Sequence, residues 1–270
     1  MSATTAQSAA QSAPRFPKAV IFDAYGTLFD VHSVVAAAEQ MFPGQGEALS
    51  QLWRLKQIEY TQLRTLSDPA GARYRPFWDV TLDALRYAAR RLNLALTGAG
   101  EKRLMDEYAC LSAFPDVLPV LRRLRTLHEN QEKTQQSGTR PGLAILSNGN
   151  PQMLDIAVKS AGMTGLFDHV LSVDAVRAYK PAAAAYALGT AAFDAAPRDI
   201  VFVSSNGWDA AGAGWFGYTT FWINRQRLPA EELGVAPNGT GGGMAELAAF
   251  LETAAPPERT PARARPSPGA

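Results

Sequence analysis

Asp23 stands where the apolar run Val20–Phe22 gives way to a turn containing Gly26 and Thr27. A carboxylate held unprotonated and poorly solvated at such a position can act as a nucleophile and form a covalent ester. Gly26 permits a tight turn behind it, and Thr27 can hold a carboxylate oxygen through its hydroxyl or its amide. Polar residues also stand where other apolar runs stop: Ser147 and Asn148 after "GLAIL", Lys180 in "YKP", and Ser204, Ser205, Asn206 and Asp209 in "SSNGWD". Ser147 and Asn148 offer a hydroxyl, an amide and backbone donors to an anion. Lys180 supplies an ammonium able to lie between Asp23 and Asp209, which would otherwise raise one pKa of the pair. Each residue has a plainer reading: Asp23 as a turn or helix cap, Lys180 as an exposed loop lysine, Ser147-Asn148 as a local turn. Four polar strand ends in order favour one shared site.

The remaining composition narrows the chemistry. A chain of 270 residues suits one large domain, or one domain with an insertion. With 47% hydrophobic residues and a net charge of +1, it carries no general affinity for nucleic acid or an anionic membrane. Arg90-Arg91 and Arg122-Arg123 read as solvated helix faces. The single cysteine, Cys110, excludes an intramolecular disulfide, suits a reducing compartment, and reads as a packed thiol in an apolar helical pattern. His32, His128 and His169 lack metal-ligand spacing, and zinc signatures, a G-x-S-x-G elbow and a Walker A loop are absent. No run approaches the length of a membrane span. "MSATTAQSAAQSAPRFP" lacks a basic start and an apolar core, so it reads as a disordered leader, 1–17, and the default location is cytoplasmic.

The elements that must position these residues follow from periodicity. "KAVIFDAYG", "GLAILSNGN", "HVLSVD" and "DIVFVSSNG" are short apolar strands, each followed by a helical pattern. That alternation predicts an α/β fold, a Rossmann-like parallel sheet with helices on both faces. "TTFWIN" and "MAELAAFLETAA" complete it as a last strand and helix. Between the first and second strands lies a long helical region. Leu49, Leu52, Leu55 and Ile58 recur at helical spacing, as do Leu82, Leu85, Ala89, Leu92 and Leu96. So many helices exceed one crossover connection, and we read an inserted four-helix cap over 33–112, with core over 18–32 and 113–254. The polar segment 128–142 and the proline-rich tail 255–270 read as unstructured.

"DAYGTLFD", "LSNGNP", "YKP" and "SSNGWD" resemble the ordered motifs of the haloacid dehalogenase superfamily, most closely its L-2-haloacid dehalogenases, over Lys18 to Arg225. The resemblance implies a nucleophilic Asp23, an adjacent cap, and hydrolysis of a small halogenated carboxylic acid through an aspartyl ester, with one inversion from L-2-haloacid to D-2-hydroxyacid. It implies a water positioned by Asp209, Asn206 and Ser204, and a homodimer. "LWRLKQIEYT" resembles the family's cap helix, whose arginine, here Arg54, clamps the substrate carboxylate or receives the halide; taken alone, Arg54 reads as a solvated arginine. Tyr186 matches a further site position and could equally be a packing tyrosine. Ala24, Tyr25, Phe77 and Trp208 match positions lining the family's pocket, with ordinary core roles as the alternative for Phe77 and Trp208.

Tyr25 decides between chemistries within that resemblance. The superfamily's phosphatases carry a second aspartate there and acidic pairs in the last motif; this chain has a phenol, then Ser204, Ser205 and Asn206. Too few hard oxygens remain for magnesium, so no metal and no cofactor are expected. A magnesium-dependent phosphatase and a non-catalytic binding module are the alternatives. "SDPAGARYRP" is longer than usual for such enzymes and is expected to alter the edge of the cap.

Overall fold

The computed structural model describes residues 17–133 and 141–253. The leader over 1–16, the tail 255–270, and 134–140 of the polar segment lie outside the described residues. The chain opens with β1 (Ala19–Phe22) and continues through α1 (Val35–Met41), α2 (Gly46–Ser67), α3 (Phe77–Arg91), α4 (Gly98–Ala109) and α5 (Val117–Lys133). It then alternates through β2 (Gly142–Ser147), α6 (Pro151–Ser160), β3 (His169–Ser172), α7 (Ala183–Phe193), β4 (Ile200–Ser204) and α8 (Gly207–Phe216). β5 (Thr219–Ile223), β6 (Gly239–Gly241) and α9 (Met244–Thr253) complete it. The sheet has the order β3-β2-β1-β4-β5-β6, with every pairing parallel.

β1, β2 and β4 are buried at every residue, as the continuous apolar runs require of strands covered on both faces. Alternate side chains divide between two cores. Val20, Phe22, Ile145 and Val203 join Val117, Leu154 and Leu247 on the face of α5, α6 and α9. Ile21, Leu146 and Phe202 meet Tyr186 of α7 and Ala213 of α8 on the other. Four helices, α1–α4, intervene before the chain returns. It leaves and re-enters at one place: Asp30 N–H donates to Ser112 O at 2.8 Å, and Phe114 N–H to Leu28 O at 3.1 Å.

Several local expectations are corrected. β6 carries no strand signal because its sequence is "GTG"; a Cβ at Gly239 would meet the Phe221 ring at 2.7 Å and the Phe250 ring at 2.8 Å. α5 continues to Lys133, so residues 128–133 are helical rather than irregular. Leu55, read into the apolar face of α2, is 59% exposed, and Leu96 lies beyond the end of α3. Cys110 is exposed at the end of α4, where the helix has run out of buried face, and is not a packed thiol.

Candidate active site

Everything is arranged around the carboxyl end of β1. Asp23 N–H still donates to Val203 O at 2.9 Å, extending the β1–β4 ladder one residue. The chain then turns sharply: Thr27, Leu28 and Phe29 all donate N–H to Ala24 O, and Gly26 takes a φ of +94° that a side chain would resist. This turn delivers the Thr27 hydroxyl to Asp23 Oδ2 at 2.8 Å. Asn206 Nδ2, from the end of β4, donates to the same oxygen at 2.9 Å. Lys180 Nζ holds Asp23 Oδ1 at 2.7 Å.

Lys180 arrives on the loop between β3 and α7, its backbone N–H held by Asn148 Oδ1 at 3.0 Å. Only 1% exposed, it also donates to Asp209 Oδ2 at 2.7 Å and to Leu146 O at 3.2 Å. Asp209 sits in the first turn of α8, where the helix macrodipole favours an anion. Tyr186 OH donates to its Oδ1 at 2.7 Å and Ser204 Oγ to its Oδ2 at 3.0 Å. Two buried anions thus share one cation. Burial lowers the Lys180 pKa, but Asp209 and Asp23 outweigh it and leave the ammonium above its ordinary value. Burial raises the Asp209 carboxyl, and Lys180 offsets this only in part. Burial, then the Asp209 anion, pushes the Tyr186 phenol well up, keeping it a neutral donor.

In front of Asp23 lies a small pocket. Its floor is Asp23, Ser147, Asn148 and Asn206, and its walls include Tyr25, Phe77 and Trp208. Ser147 Oγ accepts Gly149 N–H at 3.0 Å. α2 supplies Arg54, Ile58 and Thr61 from above. The void measures about 10 Å³, close to the minimum for one water. Tyr25 packs its ring against Phe77 at 5.4 Å and Tyr108 at 5.8 Å; its hydroxyl is buried without a hydrogen-bond partner among the described residues. Arg54 reaches across from α2, donating to Gln57 Oε1 at 2.7 Å, Tyr25 O at 3.0 Å and Asn206 Oδ1 at 3.2 Å. A larger hollow of about 310 Å³ between α8 and residues 230–237 contains none of these groups.

The donor set does not fit a magnesium ion. Among the described residues no three His, Cys, Asp or Glu side chains cluster as metal ligands. The two carboxylates that could approach a cation are already bridged by Lys180, and the position two beyond Asp23 carries the apolar face of Tyr25.

The family model of haloacid dehalogenase-like hydrolases matches residues 17–217. The chain belongs to this family of hydrolases. A haloacid dehalogenase-like relative, the (S)-2-haloacid dehalogenase of Pseudomonas sp. (strain YL), is 44% identical over 238 residues, which cover 88% of this chain and 96% of that one. A solved L-2-haloacid dehalogenase superposes with a TM-score of 0.82 at 61% identity, covering 89% of this chain and 100% of that chain. The L-2-haloacid dehalogenase from Xanthobacter autotrophicus with chloropropionic acid covalently bound gives 0.76 at 35% identity, covering 87% and 98%.

Across this haloacid dehalogenase-like chain, Asp23, Tyr25, Arg54, Phe77, Ser147, Asn148, Asn206 and Trp208 meet at one pocket. Thr27, Lys180, Tyr186, Ser204 and Asp209 form the layer behind Asp23. Ala24 is fully buried with its carbonyl accepting the turn's N–H groups, and it is not among the residues that line this pocket. Ile58 and Thr61 were not anticipated. Their signal was in the sequence: with Arg54 they stand at i, i+4 and i+7, one face of a helix. Ser205, one of the polar residues noted after the β4 run, supports the turn, its N–H donating to Thr27 Oγ1 at 2.8 Å.

Proposed function

We infer that the chain hydrolyses L-2-haloalkanoic acids to D-2-hydroxyalkanoic acids and halide. The observation that carries this is a buried carboxylate paired with a buried lysine, facing an arginine across a small pocket. A nucleophile confined there attacks carbon without the hydration shell that would blunt it.

The reaction divides into two balanced steps. An Asp23 oxygen attacks C2 from the side opposite the halogen; the C–O bond forms as the C–halogen bond breaks, halide departs with the bonding pair, and C2 inverts. Arg54 is placed to hold the substrate carboxylate or the departing halide, with Ser147 and Asn148 as further donors. Water, positioned by Asp209, Asn206 and Ser204, then adds to the carbonyl carbon of the Asp23 ester. The acyl C–O bond breaks, the product leaves with the oxygen that had belonged to Asp23, and one proton is released through Asp209. C2 is untouched in this step, so one inversion results.

Residues 33–112 act as a cap that closes the pocket and shapes its apolar wall. A phosphatase of the same fold is disfavoured by Tyr25 at the position of the second acid and by the lysine bridge. The acceptor-filled triad of Asp23, Lys180 and Asp209 speaks against a binding module without catalysis. Exposed Leu55, Leu63 and Leu66 on α2 support association of two copies through this helix. No described helix is long and apolar enough to cross a membrane, and a cytoplasmic location accords with the lone cysteine.

The test is chloride release from L-2-chloropropionate in the presence of a chelator, beside an aryl phosphate with magnesium. Chloride release alone is expected; phosphate release alone would overturn the reading. A single turnover in heavy-oxygen water is expected to label Asp23 and leave the first hydroxyacid unlabelled.

A further inference from the structure

Behind Arg54 lies a buried polar relay that the two chemical steps do not use. Gln57, Thr81 and Tyr108 come from α2, α3 and α4, with relative exposures of 0%, 0% and 3%. Gln57 Oε1 accepts from Arg54 Nη1 at 2.7 Å and from Tyr108 OH at 3.1 Å. Gln57 Nε2 donates to Thr81 Oγ1 at 2.6 Å, and that hydroxyl donates to Phe77 O at 2.7 Å. The orientation of the amide is therefore determined: turned over, its NH2 would face the guanidinium and the Tyr108 hydroxyl.

We propose that Gln57 is a positioning residue that holds Arg54 aimed into the pocket while leaving its positive charge unspent, with Tyr108 and Thr81 fixing Gln57. This rests on the reading of Arg54 as the anion-holding group. A buried glutamate of the same shape would hold the fork as well and cancel its charge before any substrate arrived. An apolar residue of similar size would leave the charge and lose the aim. Glutamine is the side chain that supplies a strong acceptor with no charge. Among the described residues the other arm of Arg54 likewise meets only neutral acceptors, Tyr25 O and Asn206 Oδ1. With no ion pair to Arg54 among the described residues, its charge is left for a ligand. Because the relay ends on the carbonyl of Phe77, it also ties the anion-holding group to an apolar wall of the same pocket.

The two properties are separable in the full-length chain, using bromide as a competitive probe and L-2-chloropropionate as substrate. Gln57→Glu is expected to raise both KM and the bromide inhibition constant by at least about tenfold. Gln57→Met is expected to lower kcat by at least about tenfold while bromide inhibition stays within about threefold of the parent. Identical kinetics in the two variants would reduce Gln57 to packing and overturn the proposal, as would parental KM and bromide inhibition in Gln57→Glu. Circular dichroism and melting establish that each variant is folded. Should Gln57→Glu not fold, Tyr108→Phe removes one support without adding charge; a kcat lowered about two- to fivefold supports the proposal, and an unchanged kcat overturns it. An unaltered chain that releases no halide would instead remove the reading of the activity on which this rests.

Discussion

Asp209 and Lys180 carry opposite consequences of burial, and both can be measured. The Asp209 carboxyl sits above the ordinary aspartate range, so the folded state holds its proton to higher pH than the unfolded chain does. Its effect on stability is therefore lost as pH rises from about 3.9 through the folded value, while its competence to accept a proton from water appears over that same interval. Single-turnover rates of ester hydrolysis are expected to rise through an apparent pKa above that of a free aspartate. In Asp209→Asn, halide is expected in a burst of about one equivalent, with an adduct on Asp23 by mass spectrometry. Lys180 is raised, so its stabilising contribution is complete below about 10.4 and fades only through a higher value. Lys180→Met leaves two buried carboxylates without their cation and is expected to cost about 3–5 kcal/mol in chemical denaturation at neutral pH. Acid, by protonating the carboxylates, is expected to return part of it. Of these residues, Asp23 and Ser147 were legible as polar strand ends, and Lys180 and Asp209 as polar residues in the segments that follow β3 and β4. It could not find Gln57, Thr81 or Tyr108, because their relation exists only after three helices pack.

At the level of single elements, α2 contributes Arg54, Ile58 and Thr61 to the lining of the pocket. Ile58 and Thr61 stand one and two turns beyond Arg54, and the remaining void is small, so wall volume limits the substrate alkyl group. Ile58→Ala is expected to shift kcat/KM toward 2-chlorohexanoate over 2-chloropropionate by about tenfold. The long turn after α2 has a second attachment. Tyr74 OH donates to Asp174 Oδ1 at 2.8 Å, Arg177 Nη2 to Gly71 O at 3.1 Å, and Tyr179 N–H to Thr65 Oγ1 at 2.9 Å. These bonds clasp the helical block to the loop that ends in Lys180. Tyr74→Phe with Arg177→Ala is expected to increase hydrogen exchange over 67–76 and 173–180 while leaving the sheet protected. The length of that turn was legible in the sequence; its partner was not, since Asp174 and Arg177 lie about a hundred residues further on.

Taken whole, the molecule has the reversal of strand order at which open parallel sheets commonly bind ligands. β1 lies between β2 and β4, successive strands run outward on either side, and Asp23 stands at the divide. The strands buried on both faces declared themselves as apolar runs. β6 did not, because its glycines are set by two phenylalanine rings and not by a pattern along the chain. At this scale the exposed leucines of α2 are the feature to test. Sedimentation of the full-length chain is expected to show a dimer, and Leu66→Lys, at a side 76% exposed in the single chain, is expected to shift it toward monomer.

The paired segments at 28–30 and 112–114 mean that the chain enters and leaves the helical block at one place. A graft would need to match that covalent junction and the clasp to residues 174–179. Asp23, Lys180 and Asp209 all lie outside the block, so a replacement of different bore that kept both attachments is expected to retain their geometry. Selectivity in this architecture is thus modular: the same warhead can be fitted with a different mouth.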